Sequence, residues 1–274
     1  MPQVGSARVR RHGIKEGTND MDYVDVNART IDKWVLDGWK WGIPITSEDF
    51  ARAKKGDWQV LLTPTRPVPT NWFAPYLMGG SFGGTRLLGL ASGGGQQVPI
   101  FSALGAICTV LDYSDKQLES EKIVADREGY HIEIVKADMT KRFPFDDGAF
   151  DIIFHPVSNC YVENVRHLWR ECSRVLKPGG ILLAGMDYGL NYLVEDNNPR
   201  LIINKLPFNP LTDEALYRRS VEAGSGIQFS HTIEEQVGGQ LEAGLELTNL
   251  YEDTDDEGIG CFIPNYIATR SVRK

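Results

Sequence analysis

Several absences narrow what these 274 residues can be. No apolar run approaches the roughly 20 residues needed to cross a bilayer, and no leader with an apolar centre and a small-residue cleavage site opens the chain. Membrane insertion is therefore not expected, and a reducing cytoplasm is the expected location. Cysteine is sparse. Cys108, Cys160, Cys172 and Cys261 include no CxxC and no metal-knuckle spacing, which excludes a disulfide framework and leaves no expected metal site. Positive charge is in deficit, with 29 Lys and Arg against 37 Asp and Glu, a formal charge of −8. No basic stripe interleaved with aromatics is present, so nucleic acid is not an expected partner. Repeats and low-complexity tracts are also missing. The oligomeric state is not legible from these features.

A chain of this length can bury a full core without covalent staples. Three textures divide it. Up to about Gly84 the chain is rich in aromatics and holds five of the six tryptophans. Its first dozen residues, with Arg8, Arg10 and Arg11, read as a mobile tail. Ile31, Trp34, Val35, Gly38 and Trp39 then form one helical stripe. A second short helix is bracketed by Thr46 with Asp49 and by Gly56. Thr63 to Pro69, with three prolines, must be extended.

From Arg86 to about Met186, apolar runs alternate with helical patterns. Strands are predicted at 86–91, 107–112, 132–138, 150–156 and 180–186, and helices at 96–104, 115–128 and 162–176. Alternation of this kind implies right-handed crossovers and a parallel, doubly wound sheet. The remaining residues break the pattern. An insert at about 187–231 includes a hairpin from Asn191 to Phe208 that turns at Asp196 to Pro199. A helix at 232–242 follows, then strands at 245–251 and 262–272 that can pair antiparallel at the sheet edge. The acidic link from Glu252 to Glu257 reads as a solvated loop. The expected organisation is an N-terminal cap over 1–84 and a main domain over 85–274.

In a doubly wound sheet, ligands bind beyond the carboxyl ends of the strands, where the strand order reverses. The loops there hold the candidate residues. The first is Ala91-Ser92-Gly93-Gly94-Gly95, where a buried strand turns towards a helix that offers free N–H groups. A dinucleotide fingerprint would require a third glycine at Gln96 or Val98, and neither is glycine. The second is Asp112, with Tyr113 beside it. An ionised carboxylate at a second strand's end can accept both hydroxyls of an adenosine ribose. The third is Ala137-Asp138-Met139. The fourth runs from His155 to Tyr161 and places His155, Ser158, Asn159 and Tyr161 where a substrate would meet a cofactor. Asp187 and Tyr188, just after the fifth strand, are candidate substrate contacts.

The spacing Ala91-x-Gly93-x-Gly95 resembles the glycine loop of class I S-adenosylmethionine-dependent methyltransferases. Phe145 to Phe154 resembles that family's approach to its fourth strand. Arg174-Val175-Leu176-Lys177-Pro178-Gly179-Gly180 resembles its turn from helix to fifth strand, with Pro178 stopping the helix. The likeness is greatest to the small-molecule, quinone-methyltransferase branch. It implies a Rossmann-like sheet of seven strands, mostly parallel with an antiparallel last strand, and S-adenosyl-L-methionine as cofactor. It also implies that Asp138 and the following backbone bracket adenine, with Met139 on the ring. Gln96 and Gln97 can reach the carboxylate end, and backbone carbonyls near Ala91 or His155 the amino end. Two departures stand out, because Gly89 occupies the place of the usual first-strand acid and Ala91 that of the first glycine.

The resemblance implies methyl transfer to a small, partly apolar acceptor, with the cofactor's methyl aligned in line. His155, Tyr23 and Tyr161 are candidate bases. The N-terminal helix would form a lid, with Tyr23, Asn27, Trp39 or Trp41 facing the substrate. Two competitors remain, a nicotinamide-dependent oxidoreductase and a protein of this fold that acts on a macromolecule or is not catalytic.

Overall fold

A computed structural model describes residues 22–195 and 198–274. The basic N-terminal stretch and the tip of the proposed hairpin turn, Asp196 and Asn197, lie outside the described residues. The main sheet has seven strands in the order β3-β2-β1-β4-β5-β9-β8. Its parallel part comprises β1 (Arg86–Leu90), β2 (Ile107–Asp112), β3 (Glu133–Lys136), β4 (Phe150–His155) and β5 (Leu176–Asp187). After β5 come a two-stranded hairpin, β6 (Val194–Glu195) with β7 (Asn198–Ile202), and then β8 (Leu245–Asp253). The last strand, β9 (Tyr266–Arg273), inserts antiparallel between β5 and β8. The mostly parallel seven-stranded sheet agrees with the sequence expectation.

Alternate residues of each strand face opposite sides, and two cores result. Leu87, Val110, Ile152, Phe154 and Leu183 face one side. This side is covered by α3 (Val98–Ala103) and α4 (Asp115–Glu128). Leu88, Leu111, Ile153, Leu182 and Met186 face the other, which α5 (Val165–Val175) covers with Val165, Leu168, Trp169, Cys172 and Val175. The face of α5 that looks apolar in the sequence is the face that is buried.

The N-terminal region divides differently from the expected cap. Helix α1 (Tyr23–Leu36) lies over the carboxyl ends of the strands and buries only Asn27. Helix α2 (Ser47–Lys54) carries the predicted capping box, Thr46 with Asp49. By contrast, the segment from Trp58 to Phe82 belongs to the main core. Phe73 and Phe82 are fully buried and pack edge-on with Phe101 and Trp58. The backbone at Leu62 presses so closely on β5 that a Cβ at Gly185 would fall 1.9 Å from the Leu62 carbonyl oxygen. The aromatic segment and one face of the sheet thus share a core.

Four other expectations change. Helix α5 ends at Val175 rather than at Pro178, because buried Leu176 already pairs with Phe150 in the sheet. Pro178 and Gly179 instead sit where the pairing register shifts before Ile181 meets Ile152. The acidic link is not wholly solvated. Asp253 is buried and accepts hydrogen bonds from the backbone N–H groups of Thr65 and Arg66, at 2.9 Å each, and from the Thr65 hydroxyl. The insert contains a helix that sequence reading missed, α6 (Glu214–Glu222), capped by Asp213. The late helix runs as a π turn over Glu234–Gly238 into α7 (Gly239–Glu242).

If the aromatic segment is core and not cap, Phe82→Ala should destabilise the whole protein by about 3–5 kcal/mol. Denaturant unfolding followed by tryptophan fluorescence would show this. A loss below about 1 kcal/mol would mean that 58–82 folds apart from the sheet.

Candidate active site

A cavity of about 310 Å³ opens at the carboxyl ends of the parallel strands. It lies where the strand order reverses between β1 and β4, as the fold class requires. Its floor is made by the loops after β1, β2, β3 and β4. Val24, Asn27, Ala28 and Ile31 of α1 form a roof, joined by Trp39 and Trp41.

The loop after β1 contributes Ala91, Ser92, Gly93, Gln96 and Gln97. Ala91 has φ +45°, a left-handed conformation that costs a residue with a Cβ about 1 kcal/mol or more. Gly95 does not line the cavity. It packs against α4, where a Cβ would meet Val124 and Ser120. At Gly89 the space that a first-strand acid would use is filled, since a Cβ there would lie 2.6 Å from the Ser92 hydroxyl oxygen and 2.4 Å from Val98. Gln96 holds the chain beneath the roof, donating to the carbonyls of Lys40 (2.6 Å) and Ile43 (2.8 Å). Gln97 accepts from the Leu61 N–H at 2.9 Å.

Asp112, the expected ribose acceptor, lines the cavity. Its Oδ1 accepts from the backbone N–H groups of Tyr113 (2.7 Å) and Ser114 (2.9 Å), and its Oδ2 has no hydrogen bond among the described residues. Burial raises its pKa to about 6, and Asp32 adds to the rise. Tyr113, Asp138 and Met139 line the same side. The Asp138 Oδ1 is occupied by the Thr140 N–H at 2.7 Å, and the Tyr113 hydroxyl donates to Asp25.

Other predicted residues are placed elsewhere. His155 is fully buried and does not line the cavity. Its Nδ1 lies 2.9 Å from the Leu90 carbonyl, and burial lowers its pKa to about 4. Tyr23 also lies off the cavity, edge-on to Phe229, with its hydroxyl accepting from the Glu163 N–H and its pKa raised by burial to about 12. Asn159 is buried and donates to Gln236 at 3.0 Å, and Tyr188 turns away to donate to Glu252 at 2.8 Å. These four are corrections to the expected cavity set. The local sequence put His155, Asn159 and Tyr188 at or just beyond strand ends and Tyr23 at the start of α1, but neighbouring elements claimed their polar atoms. Trp39, Tyr161 and Asp187 do line the cavity. Asn27 lines it too, although both ends of its amide are committed to the Ile227 backbone, at 2.8 and 2.6 Å.

Sequence reading missed Asn191, Tyr192, Gln228 and Tyr266. Tyr266 pairs directly with Asp187 across β5 and β9, a neighbour visible only once the register is known.

The comparisons with known proteins bear on the family and the fold. A methyltransferase-domain family matches residues 88–184. The Bacillus subtilis protein named "Uncharacterized methyltransferase YbaJ" is 37% identical over 253 residues, covering 90% of this chain and 97% of that one. The chain belongs to the class I S-adenosylmethionine-dependent methyltransferases. Sterol 24-C-methyltransferase ERG6B of Gibberella zeae is 28% identical over 179 residues, 63% of this chain and 43% of that protein. A solved S-adenosylmethionine-dependent methyltransferase from Mesorhizobium loti shares the fold, with TM-score 0.57 and 20% identity over 74% of this chain and 95% of that one. The cofactor of this methyltransferase is S-adenosylmethionine, and the free Oδ2 of Asp112 fits its ribose.

Behind the glycine loop, Glu121 of α4 is fully buried with neither carboxyl oxygen well bonded, and its pKa is raised by burial to about 8. The folded protein thus holds this proton more tightly than the unfolded chain does. The resulting stabilisation is complete below about pH 4.5 and is lost as pH rises through about 8. Glu121→Gln should match wild type near pH 4 and exceed it by about 5 kcal/mol at pH 9, the linkage equivalent of a rise from 4.5 to about 8. Thermal unfolding from pH 4 to 9 would show this, and a constant difference across that range would refute it.

Proposed function

We propose that this methyltransferase moves a methyl group from S-adenosylmethionine to a small, partly apolar acceptor held beneath α1, by in-line displacement. One continuous cavity running from Asp112 to Asp187 under an apolar roof carries this reading. Bound S-adenosylmethionine supplies an already activated methyl on a sulfonium sulfur. The protein's task is then to bind, orient and exclude water.

Asp112 would hold the ribose, and Asp138 and Met139 the adenine. The loop from Ala91 to Gly93, with Gln97, would face the amino-acid portion. Ser92 stands where an acid at position 89 would otherwise project. The acceptor's apolar body would rest against Ala28, Ile31, Trp39 and Leu62, all lining residues. Tyr161 would meet its polar end as a hydrogen-bond donor, because burial raises the phenol pKa well above its ordinary value and keeps it protonated.

Calorimetry separates this reading from a nicotinamide enzyme. S-adenosylmethionine and S-adenosylhomocysteine should bind and NAD should not. Binding of NAD alone would overturn the reading. Asp112→Ala should weaken S-adenosylmethionine binding at least about tenfold, roughly 1.4 kcal/mol, and an unchanged affinity would remove the ribose assignment.

A further inference from the structure

The end of the cavity opposite Asp112 has its own chemistry. Asp187 closes β5 there, 8% exposed, and lines the cavity. The Gly189 N–H donates to its Oδ1, and Asn191 and Tyr192 are its remaining polar neighbours. A chain of buried amides positions it, since Asn159 donates to Gln236, and Gln236 donates to the Asp187 carbonyl at 2.8 Å. Titratable neighbours come from every side: Cys160 and Tyr161 after β4, Tyr192 from the insert, Tyr266 from β9 and Asp255 from the loop after β8. None is cationic. Among the described residues, the whole cavity lining includes three aspartates and no lysine, arginine or histidine. Tyr161 also lines the cavity, and its hydroxyl has no hydrogen-bond partner among the described residues.

We propose that this end is the acceptor subsite, and that it takes an amine or hydroxyl group, bound to Asp187, of an acceptor that has no carboxylate or phosphate. The inference rests on the methyltransferase reading and specifies its substrate class. An anionic acceptor would be desolvated beside carboxylates with no counter-ion, which is strongly unfavourable. An ammonium or neutral hydroxyl would instead donate to the Asp187 carboxylate. During transfer, the acceptor's lone pair forms the new bond to the methyl carbon. The carbon–sulfur bond breaks with its electron pair kept on sulfur. A bound ammonium gives a proton to the Asp187 carboxylate before attack, which frees its lone pair, and a hydroxyl gives its proton to that carboxylate as the new bond forms. Burial raises the pKa of Asp187 to about 7, which suits a group that takes up and releases protons near neutrality.

The test uses the full chain saturated with S-adenosylhomocysteine and four matched probes: tyramine, 4-methylphenol, 4-hydroxybenzoate and phenyl phosphate. Calorimetry should show tyramine and 4-methylphenol binding at least tenfold more tightly than either anion. Tyramine affinity should also rise as pH rises through about 7, with proton release near pH 7 detected by comparing buffers of different ionisation enthalpy. Asp187→Asn should remove the pH dependence and weaken tyramine at least fivefold while S-adenosylhomocysteine still binds. If that variant does not fold, the proton release of the wild type decides alone. Equal or tighter binding of an anion, a pH-independent tyramine affinity, or failure of all four probes would overturn the inference and leave the methyltransferase reading intact. Failure of S-adenosylhomocysteine itself to bind would overturn both.

Discussion

The organisation of this methyltransferase depends on the reversal of strand order at β1. Helices α3 and α4 connect strands on one side of it and pack on one face of the sheet, whereas α5 connects strands on the other side and packs on the opposite face. Loops that leave β1 and β4 therefore diverge, and a crevice must open between them. Each cavity-facing group on the floor owes its place to this divergence. Asp112, Asp138 and Tyr161 lie on different loops and are brought together only because their strands end at the same edge.

What the sequence disclosed follows from how local each feature is. Asp112 could be found because a strand end, an acid and a capped helix start lie within six residues, and its two backbone N–H partners are its immediate neighbours. The faces of α5 were legible for the same reason. His155, Asn159 and Tyr188 occupy equally suggestive positions, but their polar atoms are taken by Leu90, Gln236 and Glu252. Those partners are 65, 77 and 64 residues away, beyond what a local pattern can indicate. The segment from Trp58 to Phe82 was misread on similar grounds. Its prolines mark it as extended and its position assigns it to the expected cap, yet its aromatics complete a core whose other half lies on α3 and β4.

The cavity also shows how a protein can keep carboxyl groups in poor solvation. Asp112 and Asp187 each use one oxygen on backbone N–H groups, which offsets part of the cost of burial. Neither has a side-chain cation to neutralise it among the cavity-lining residues. Both carboxyl groups line the cavity, a setting that would favour positive and hydrogen-bond-donating ligands over anions.

The roof is built on different terms from the rest of the fold. Helix α1 buries one residue, Asn27, and is tied by hydrogen bonds beside the aromatic packing of Tyr23 on Phe229 and Trp34 on Trp39. On one flank Asp32 accepts from the Ser114 hydroxyl and the Lys116 N–H, and Asp25 accepts from Tyr113. On the other, Asn27 holds the Ile227 backbone and the Trp34 indole donates to the Gly224 carbonyl. Detaching this helix exposes scarcely any apolar core and forfeits bonds that water can replace. If α1 detaches alone, entry to the cavity is uncoupled from global unfolding, and small molecules would pass at a rate set by its local contacts while the sheet beneath stays intact.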